Sequence, residues 1–130
     1  MPEGIVAEVK CMIPLEDKNY GAQQQESIKN DLEGLLAPSP KKKSSEQLEK
    51  ANIQWNDCIK FMFLLNKNNA IDAFKNISNV KMNISCFNIV NCTGKIDECP
   101  KIVNVVFLPC DASITVVCGD SECEKIEEEN

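Results

Sequence analysis

Residues 44–65, with the sequence SSEQLEKANIQWNDCIKFMFLL, carry the strongest apolar pattern of the chain. Ser44 followed three residues later by Gln47 is typical of a helix start, because the two side chains can cap the first turn. The apolar residues behind this start fall on one side of a helical wheel. The pattern therefore predicts a long helix over about 45–66. The predicted stripe consists of Leu48, Ala51, Trp55, Cys58, Ile59, Met62, Phe63 and Leu65.

The end of this predicted helix is apolar nearly all round, because Phe61 and Leu64 lie outside the main stripe. One interpretation is a candidate binding patch for a hydrophobic ligand or partner. The other is a helix end that is buried on both sides, which the composition favours. The candidate patch consists of Phe61, Met62, Phe63, Leu64 and Leu65.

The residues before this helix predict a separate N-terminal segment, 1–43. A short strand is expected within 4–13, and Pro14 ends it. Residues 22–36 have apolar side chains at helical spacing and predict a helix. Residues 37–45 contain two prolines and three lysines, a composition typical of a linker.

The pattern after position 80 changes from helical to alternating. Residues 80–86 alternate between apolar and polar side chains, which predicts a half-buried strand. Residues 101–108 are apolar on both faces, as in a central strand, and 114–118 are expected to return as its partner. Residues 70–76 predict a short helix.

These elements predict an α+β fold, in which helices pack on a small antiparallel sheet of three or four strands over about 80–118. Residues 44–125 form the predicted cysteine-rich domain. Residues 126–130 form an acidic tail.

The chain contains eight cysteines, and six of them lie between positions 86 and 123. An even number in a short chain is typical of a disulfide framework in an oxidising compartment. The distribution predicts a bridge between Cys11 and Cys58 and three bridges of open pairing in the C-terminal cluster. Reduced, buried thiols are the alternative. A metal site is disfavoured, because no C-x-x-C pair is present. The eight are Cys11, Cys58, Cys86, Cys92, Cys99, Cys110, Cys118 and Cys123.

Asn76, Asn83 and Asn91 each begin an N-x-S/T sequon. Together with the cysteines they favour an extracellular, glycosylated protein. Residues 1–10 are not expected to act as a secretory signal peptide, because Glu8 and Lys10 interrupt the hydrophobic region that such a peptide needs. No apolar run has the length of a bilayer span.

The composition excludes several kinds of chemistry. The chain has no histidine and no arginine, so Ser-His-Asp sites, histidine metal ligands and guanidinium clamps on phosphate are absent. The net charge of −6 opposes binding to nucleic acid. The remaining carboxylates, lysines, thiols and Tyr20 show no catalytic spacing. We therefore expect neither an enzyme nor a cofactor.

The main prediction is a secreted, disulfide-rich, non-enzymatic binding module, such as an effector, an inhibitor or a ligand-sequestering protein. Its partner would be a protein or a small apolar ligand. The first alternative is a reduced intracellular adaptor or structural subunit that packs a partner through helix 45–66. The second is a metal-binding or thiol-redox protein.

Overall fold

The computed structural model describes residues 4–15, 18–91 and 94–109. Their strands form one sheet in which all neighbouring strands are parallel, in the order β1-β2-β4-β3. The strands are β1 Gly4–Val9, β2 Cys58–Asn66, β3 Phe87–Val90 and β4 Val103–Pro109. The helices are α1 Ala22–Leu36, α2 Lys42–Ala51, α3 Ala70–Asn76 and α4 Ser78–Met82, and short 3-10 turns cover Trp55–Asp57 and Ile84–Cys86.

One face of the sheet, which we call the first face, carries the hydrophobic core. Met62 lies opposite Val105 and Leu64 lies opposite Phe107, and all four side chains are buried. The helices add their own buried residues to this cluster, namely Ile28, Leu32, Leu35, Ala70, Ala73, Phe74 and Val80. Helices α1, α3 and α4 therefore form a layer on the first face.

Phe74 of α3 lies at the centre of this layer. Its ring meets Phe87 of β3 edge-on at 5.9 Å between centroids, and it meets Phe107 of β4 in the same way at 5.8 Å. Edge-to-face pairs of this kind stabilise beyond the area that they bury. Phe74 thus joins α3 to two neighbouring strands.

The opposite side of the sheet, which we call the second face, is also apolar. Along β1 and β2 it carries Ile5, Ala7, Val9, Ile59, Phe61, Phe63 and Leu65. Ile5 is 68% exposed and Val9 is 53% exposed, whereas the β2 side chains are partly covered.

The connection between β3 and β4 covers the other half of the second face. Asp97 and Asn104 exchange hydrogen bonds there: the Asp97 backbone N–H donates to Oδ1 at 2.7 Å, and Nδ2 donates to the Asp97 carbonyl at 2.9 Å. From β2 the chain crosses over the position of β4 to form β3, and it then returns to form β4 between β2 and β3. Because such connections are right-handed, the β3–β4 connection lies on the opposite side of the sheet from the helices.

The predicted helix over 45–66 is wrong. α2 ends at Ala51, and Asn52 adopts the left-handed conformation with φ 57°. The N–H of Ile53 then donates to the Leu48 carbonyl at 2.9 Å, which closes the helix end. Cys58–Asn66 forms strand β2 instead. A run that is apolar on all sides suits a central strand buried on two faces as well as a buried helix end.

The predicted antiparallel, disulfide-braced sheet is also wrong. The sheet is parallel, and residues 80–86, predicted as a strand from their alternating pattern, form the end of α4 and a 3-10 turn instead. The N-terminal strand β1 takes part in the sheet through its pairing with β2. The expected strand 114–118 lies outside the described residues. The helices predicted at 22–36 and 70–76 and the strand predicted at 101–108 are confirmed as α1, α3 and β4.

The described cysteines are free thiols: Cys11, Cys58, Cys86 and Cys99. The predicted bridge between Cys11 and Cys58 is wrong, because the parallel register places Cys58 beside Gly4 at the opposite end of β1 from Cys11. Seven residues of extended chain span about 23 Å, whereas a disulfide needs Cα atoms within about 7 Å of each other. The other predicted bridging residues, Cys92, Cys110, Cys118 and Cys123, lie outside the described residues.

Replacing Phe74 by alanine is expected to destabilise the fold by about 3–5 kcal/mol, because it leaves a cavity between two strands and a helix. Urea denaturation followed by circular dichroism measures this loss. The matched control is Leu15→Ala, since Leu15 is 73% exposed and its truncation should cost less than about 0.5 kcal/mol. Equal midpoints for the two variants would contradict the position of Phe74 in the core.

Candidate functional site

Helices α1 and α4 stand side by side on the first face and leave a groove between them. α1 is anchored by its buried residues Ile28 and Leu32, and α4 is anchored by Val80. Both helices are thus held to the core from below. We call the space between their outer sides the α1/α4 groove.

The groove consists of two adjoining recesses with volumes of about 450 and 360 Å³. Lys29 on α1 and Asn79 and Met82 on α4 line both of them. Cavities of about 300–1,000 Å³ are typical of ligand sites. The shared lining residues show that the two recesses adjoin each other.

The floor of the groove is apolar. Leu32 and Phe87 lie at the bottom of the larger recess, and Ile77 lies at the bottom of the smaller one. Met82 stands at the wall with 79% of its surface exposed, more than any other large apolar residue of the described chain. A flexible thioether beside an apolar floor adapts to partners of varied shape.

Asn79 adds a polar feature to this apolar surface. Its Oδ1 atom is buried and has no hydrogen-bond partner among the described residues. A buried acceptor without a partner costs about 1–3 kcal/mol. Asn79 therefore places an unsatisfied acceptor beside the two recesses that it lines.

The rim of the groove on α1 is charged. Glu26, Lys29 and Glu33 follow one another at spacings of three and four residues, so they lie on the same side of the helix. The two carboxylates outnumber the single ammonium group. The rim therefore carries a net negative charge beside an apolar floor.

A second cluster with unusual chemistry surrounds Lys60 in β2. This lysine is only 3% exposed, and its Nζ donates to the Pro100 carbonyl at 2.9 Å and to the Trp55 carbonyl at 3.3 Å. The same ammonium lies 4.6 Å from the centroid of the Trp55 ring. Burial lowers the pKa of Lys60, with the neighbouring Cys58 and Cys99 acting in the opposite direction.

The contacts of Lys60 support a structural role. Its ammonium group donates to two carbonyls and contacts one ring face, and these contacts join β2 to the segment before β4. The neighbouring Cys58 is buried, and its Sγ donates to the Gln54 carbonyl at 3.4 Å. Burial raises the pKa of Cys58, so this thiol is a poor nucleophile at neutral pH.

A third cluster links β1 to α1. Lys10 forms an ion pair with Asp31 and donates to the Ser27 hydroxyl at 2.7 Å. Lys41 approaches the other oxygen of Asp31 at 3.8 Å. Burial raises the pKa of the nearby Glu8, and the negative charge of Asp31 adds to this increase, while the two lysines oppose it.

Tyr20 lies in the core just before α1. Burial raises the pKa of its phenol to about 12, and its hydroxyl has no hydrogen-bond partner among the described residues. The phenol is therefore neutral at physiological pH and is not prepared to act as a base.

The predicted binding patch at Phe61–Leu65 is divided between the two faces of β2. Met62 and Leu64 belong to the buried core of the first face. Phe61, Phe63 and Leu65 lie on the second face, where Phe61 and Phe63 stack with centroids 5.5 Å apart. Strand alternation separates residues that the helix prediction had placed together.

The three sequon asparagines are exposed. Asn76 ends α3, and its Nδ2 donates to the Lys18 carbonyl at 3.0 Å. Asn83 follows α4, and its Nδ2 donates to the Asn79 carbonyl at 2.8 Å. Asn91 follows β3 and accepts a hydrogen bond from Asn66 at 3.1 Å. Asn76 and Asn83 thus lie at the two ends of α4.

Within 4–15, 18–91 and 94–109, no group of three or more histidine, cysteine, aspartate or glutamate residues could hold a metal ion. None of the helices there is long and apolar enough to cross a membrane. No protein-family model, curated protein or solved structure matches this chain. The function therefore has to be inferred from the geometry of these sites.

The groove residues Lys29, Asn79 and Met82 were not predicted from the sequence. The alternating pattern of 80–86 placed Met82 on the inner side of a strand, whereas α4 turns it toward solvent. The available signal was the short apolar spacing from Ile77 to Val80, which also fits one turn of a helix. Five residues are too few for periodicity to distinguish the two structures.

Replacing Glu8 by glutamine is expected to raise the melting temperature at pH 7 and to change it less at pH 4. When folding raises the pKa of a carboxyl group, the protein loses stability as the pH rises from the unfolded pKa through the folded pKa of that group. Glutamine carries no charge to bury and should remove this loss. Thermal melts of both proteins at the two pH values provide the measurement.

The control for this prediction is Glu46→Gln on the exposed side of α2. Its melting temperature should follow that of the unmodified protein at both pH values. A larger gain for Glu8→Gln at pH 4 than at pH 7 is the result that would contradict the predicted direction.

Proposed function

We propose that this protein is a non-enzymatic binding module whose α1/α4 groove takes the apolar side of an amphipathic helix from a partner protein. The observation that carries this proposal is the exposed Met82 between two recesses that each have an apolar floor. An apolar side chain of this size gains free energy when a partner covers it. A helix that presents leucine or similar residues every three to four positions has the matching surface.

The length of the groove supports a helical partner. The two recesses follow α1 from Ala22 to Ala37, and α1 contains 15 residues. At 1.5 Å per residue, the groove is about 22 Å long. A partner helix of about four turns would therefore occupy it from end to end.

The charges of the chain support a partner with basic flanks. The net charge is −6, and Glu26 and Glu33 lie on the groove rim. Complementary charge raises the rate of association and orients the partner. Lysine or arginine residues along the edges of the bound helix would meet these two carboxylates.

The non-enzymatic role and the extracellular location stay predictions. The location now rests on the three sequons, because the described cysteines are free thiols. The alternative of an adaptor that binds through a helix at 45–66 loses its surface, since residues 58–66 form a central strand. The clusters at Lys60 and at Lys10 are better explained as contacts that hold the fold together.

The proposal is tested with a fluorescein-labelled 14-residue amphipathic peptide that carries leucines on one side and lysines on the other. Fluorescence anisotropy measures its affinity for the protein and for Met82→Glu. The substitution should weaken binding about 10- to 100-fold, since burial of a methionine side chain contributes about 1.5–3 kcal/mol. Leu15→Glu, a change at a leucine outside the groove that is 73% exposed against 79% for Met82, should leave the affinity unchanged.

A scrambled peptide of the same composition serves as the second control and should bind at least tenfold more weakly. Amide chemical shifts should change along α1 and α4 when the intact peptide binds. Equal affinity for Met82→Glu and the unmodified protein would contradict the proposal, as would shift changes confined to the second face. Binding of a small apolar molecule such as dodecanol, without binding of the peptide, would also overturn it.

A further inference from the structure

The half of the second face formed by β1 and β2 is apolar and exposed. Ile5 and Val9 of β1 are mostly exposed, and Phe61 and Phe63 of the central strand β2 are only partly covered. The residues that point to this side of β1 and β2 carry no charge. Such surfaces are rare on a protein unless another segment or partner covers them.

Parallel sheets are normally covered on both faces, because their connections place a layer on each side. Here the helices cover the first face, and the β3–β4 connection covers one half of the second. Gly94 of that connection lies against Val90, where an added Cβ would come within 2.7 Å of the valine side chain. The β1–β2 half remains to be covered.

We propose that residues 111–118 of this chain cover the β1–β2 half of the second face. The position at which the chain leaves the sheet supports this occupant. β4 ends at Pro109, which pairs with Asn66 at the end of β2, so the chain continues from the strand next to the exposed half. The proposal does not depend on the α1/α4 groove, which lies on the other side of the sheet.

The length of the segment fits the distance to be covered. To reach the level of Val106, which pairs with Phe63, the chain must run back about 10 Å from Pro109. The four residues 110–113 reach about 13 Å when extended, which is enough for a turn past the carboxyl end of β4 onto the second face. Residues 114–118 then span about 17 Å, which is the distance along β2 from Asn66 back to Phe61.

The chemistry of the segment fits the surface as well. Ala112, Ile114 and Val116 stand at alternate positions, and Asp111 is the only charged residue between 110 and 119. From Asp120 onward the chain is rich in acidic residues, which would remain in water. Only the part before Gly119 therefore matches an uncharged, apolar face.

The test uses the full chain with the photoreactive residue p-benzoylphenylalanine in place of Phe61. Illumination should form a cross-link within one molecule. A protease that cleaves before aspartate releases residues 111–119 as one peptide, because Asp111 and Asp120 bound it. Mass spectrometry is expected to find most of the cross-linked product on this peptide. Val9→p-benzoylphenylalanine, at the exposed edge strand, repeats the test if the substitution at Phe61 prevents folding.

The control places the same photoreactive residue at Met82, on the other side of the sheet, where no cross-link to 111–119 is expected. A second measurement uses the double variant Ile114→Asp, Val116→Asp, which should lower the cross-link yield at position 61 at least fivefold. It should also raise the fluorescence of the apolar dye anilinonaphthalene sulfonate at least twofold, whereas Ile126→Asp should change neither value.

Two outcomes would overturn the proposal. A cross-linked dimer on a denaturing gel would show that a second copy covers this face. A cross-link yield at position 61 that is equal in the double variant and the unmodified chain would show that the segment lies elsewhere.

Discussion

The parallel pairing of β2 with β4 is the contact on which the other elements depend. It places Met62 beside Val105 and Leu64 beside Phe107, and so creates a continuous apolar surface on the first face. Helices α1 and α3 bury their apolar sides there, because an isolated helix of this length is marginal in water. β1 and β3 then extend the sheet on either side.

The groove is a consequence of how the helices are attached. Each helix is held by residues that point to the core, such as Leu32 and Val80, and the sides that face each other are left free. Met82 therefore contributes little to the core, which frees it to contact a partner. In the proposed function, stability and recognition are carried by different residues of the same short helix.

Two buried polar side chains hold the β3–β4 connection in place, Asn104 on the second face and Lys60 on the first. Lys60 holds the Pro100 carbonyl, and Asn104 binds the backbone of Asp97 and the carbonyl of Lys60. These hydrogen bonds satisfy groups that would be costly to bury alone. They also keep the β3–β4 connection on its own half, so the apolar surface of β1 and β2 remains open for another segment.

The sequence by itself determined the elements whose pattern has one structural meaning. The apolar edge of 22–36 fits only a helix, and 101–108 is too short and too rich in valine to be anything but a strand. Residues 61–65 and 80–86 have no such unique meaning, since an all-apolar run and a short alternation each fit two structures. The strand at 61–65 was decided only by the pairing of β2 between β1 and β4, and the helix at 78–82 was decided only by the packing of Val80 into the core.

The packing of Val80 also turned Met82 and Asn79 toward the groove, and the parallel register kept Cys11 far from Cys58. Contacts between residues distant in the chain set both results, and local periodicity carries no information about such contacts.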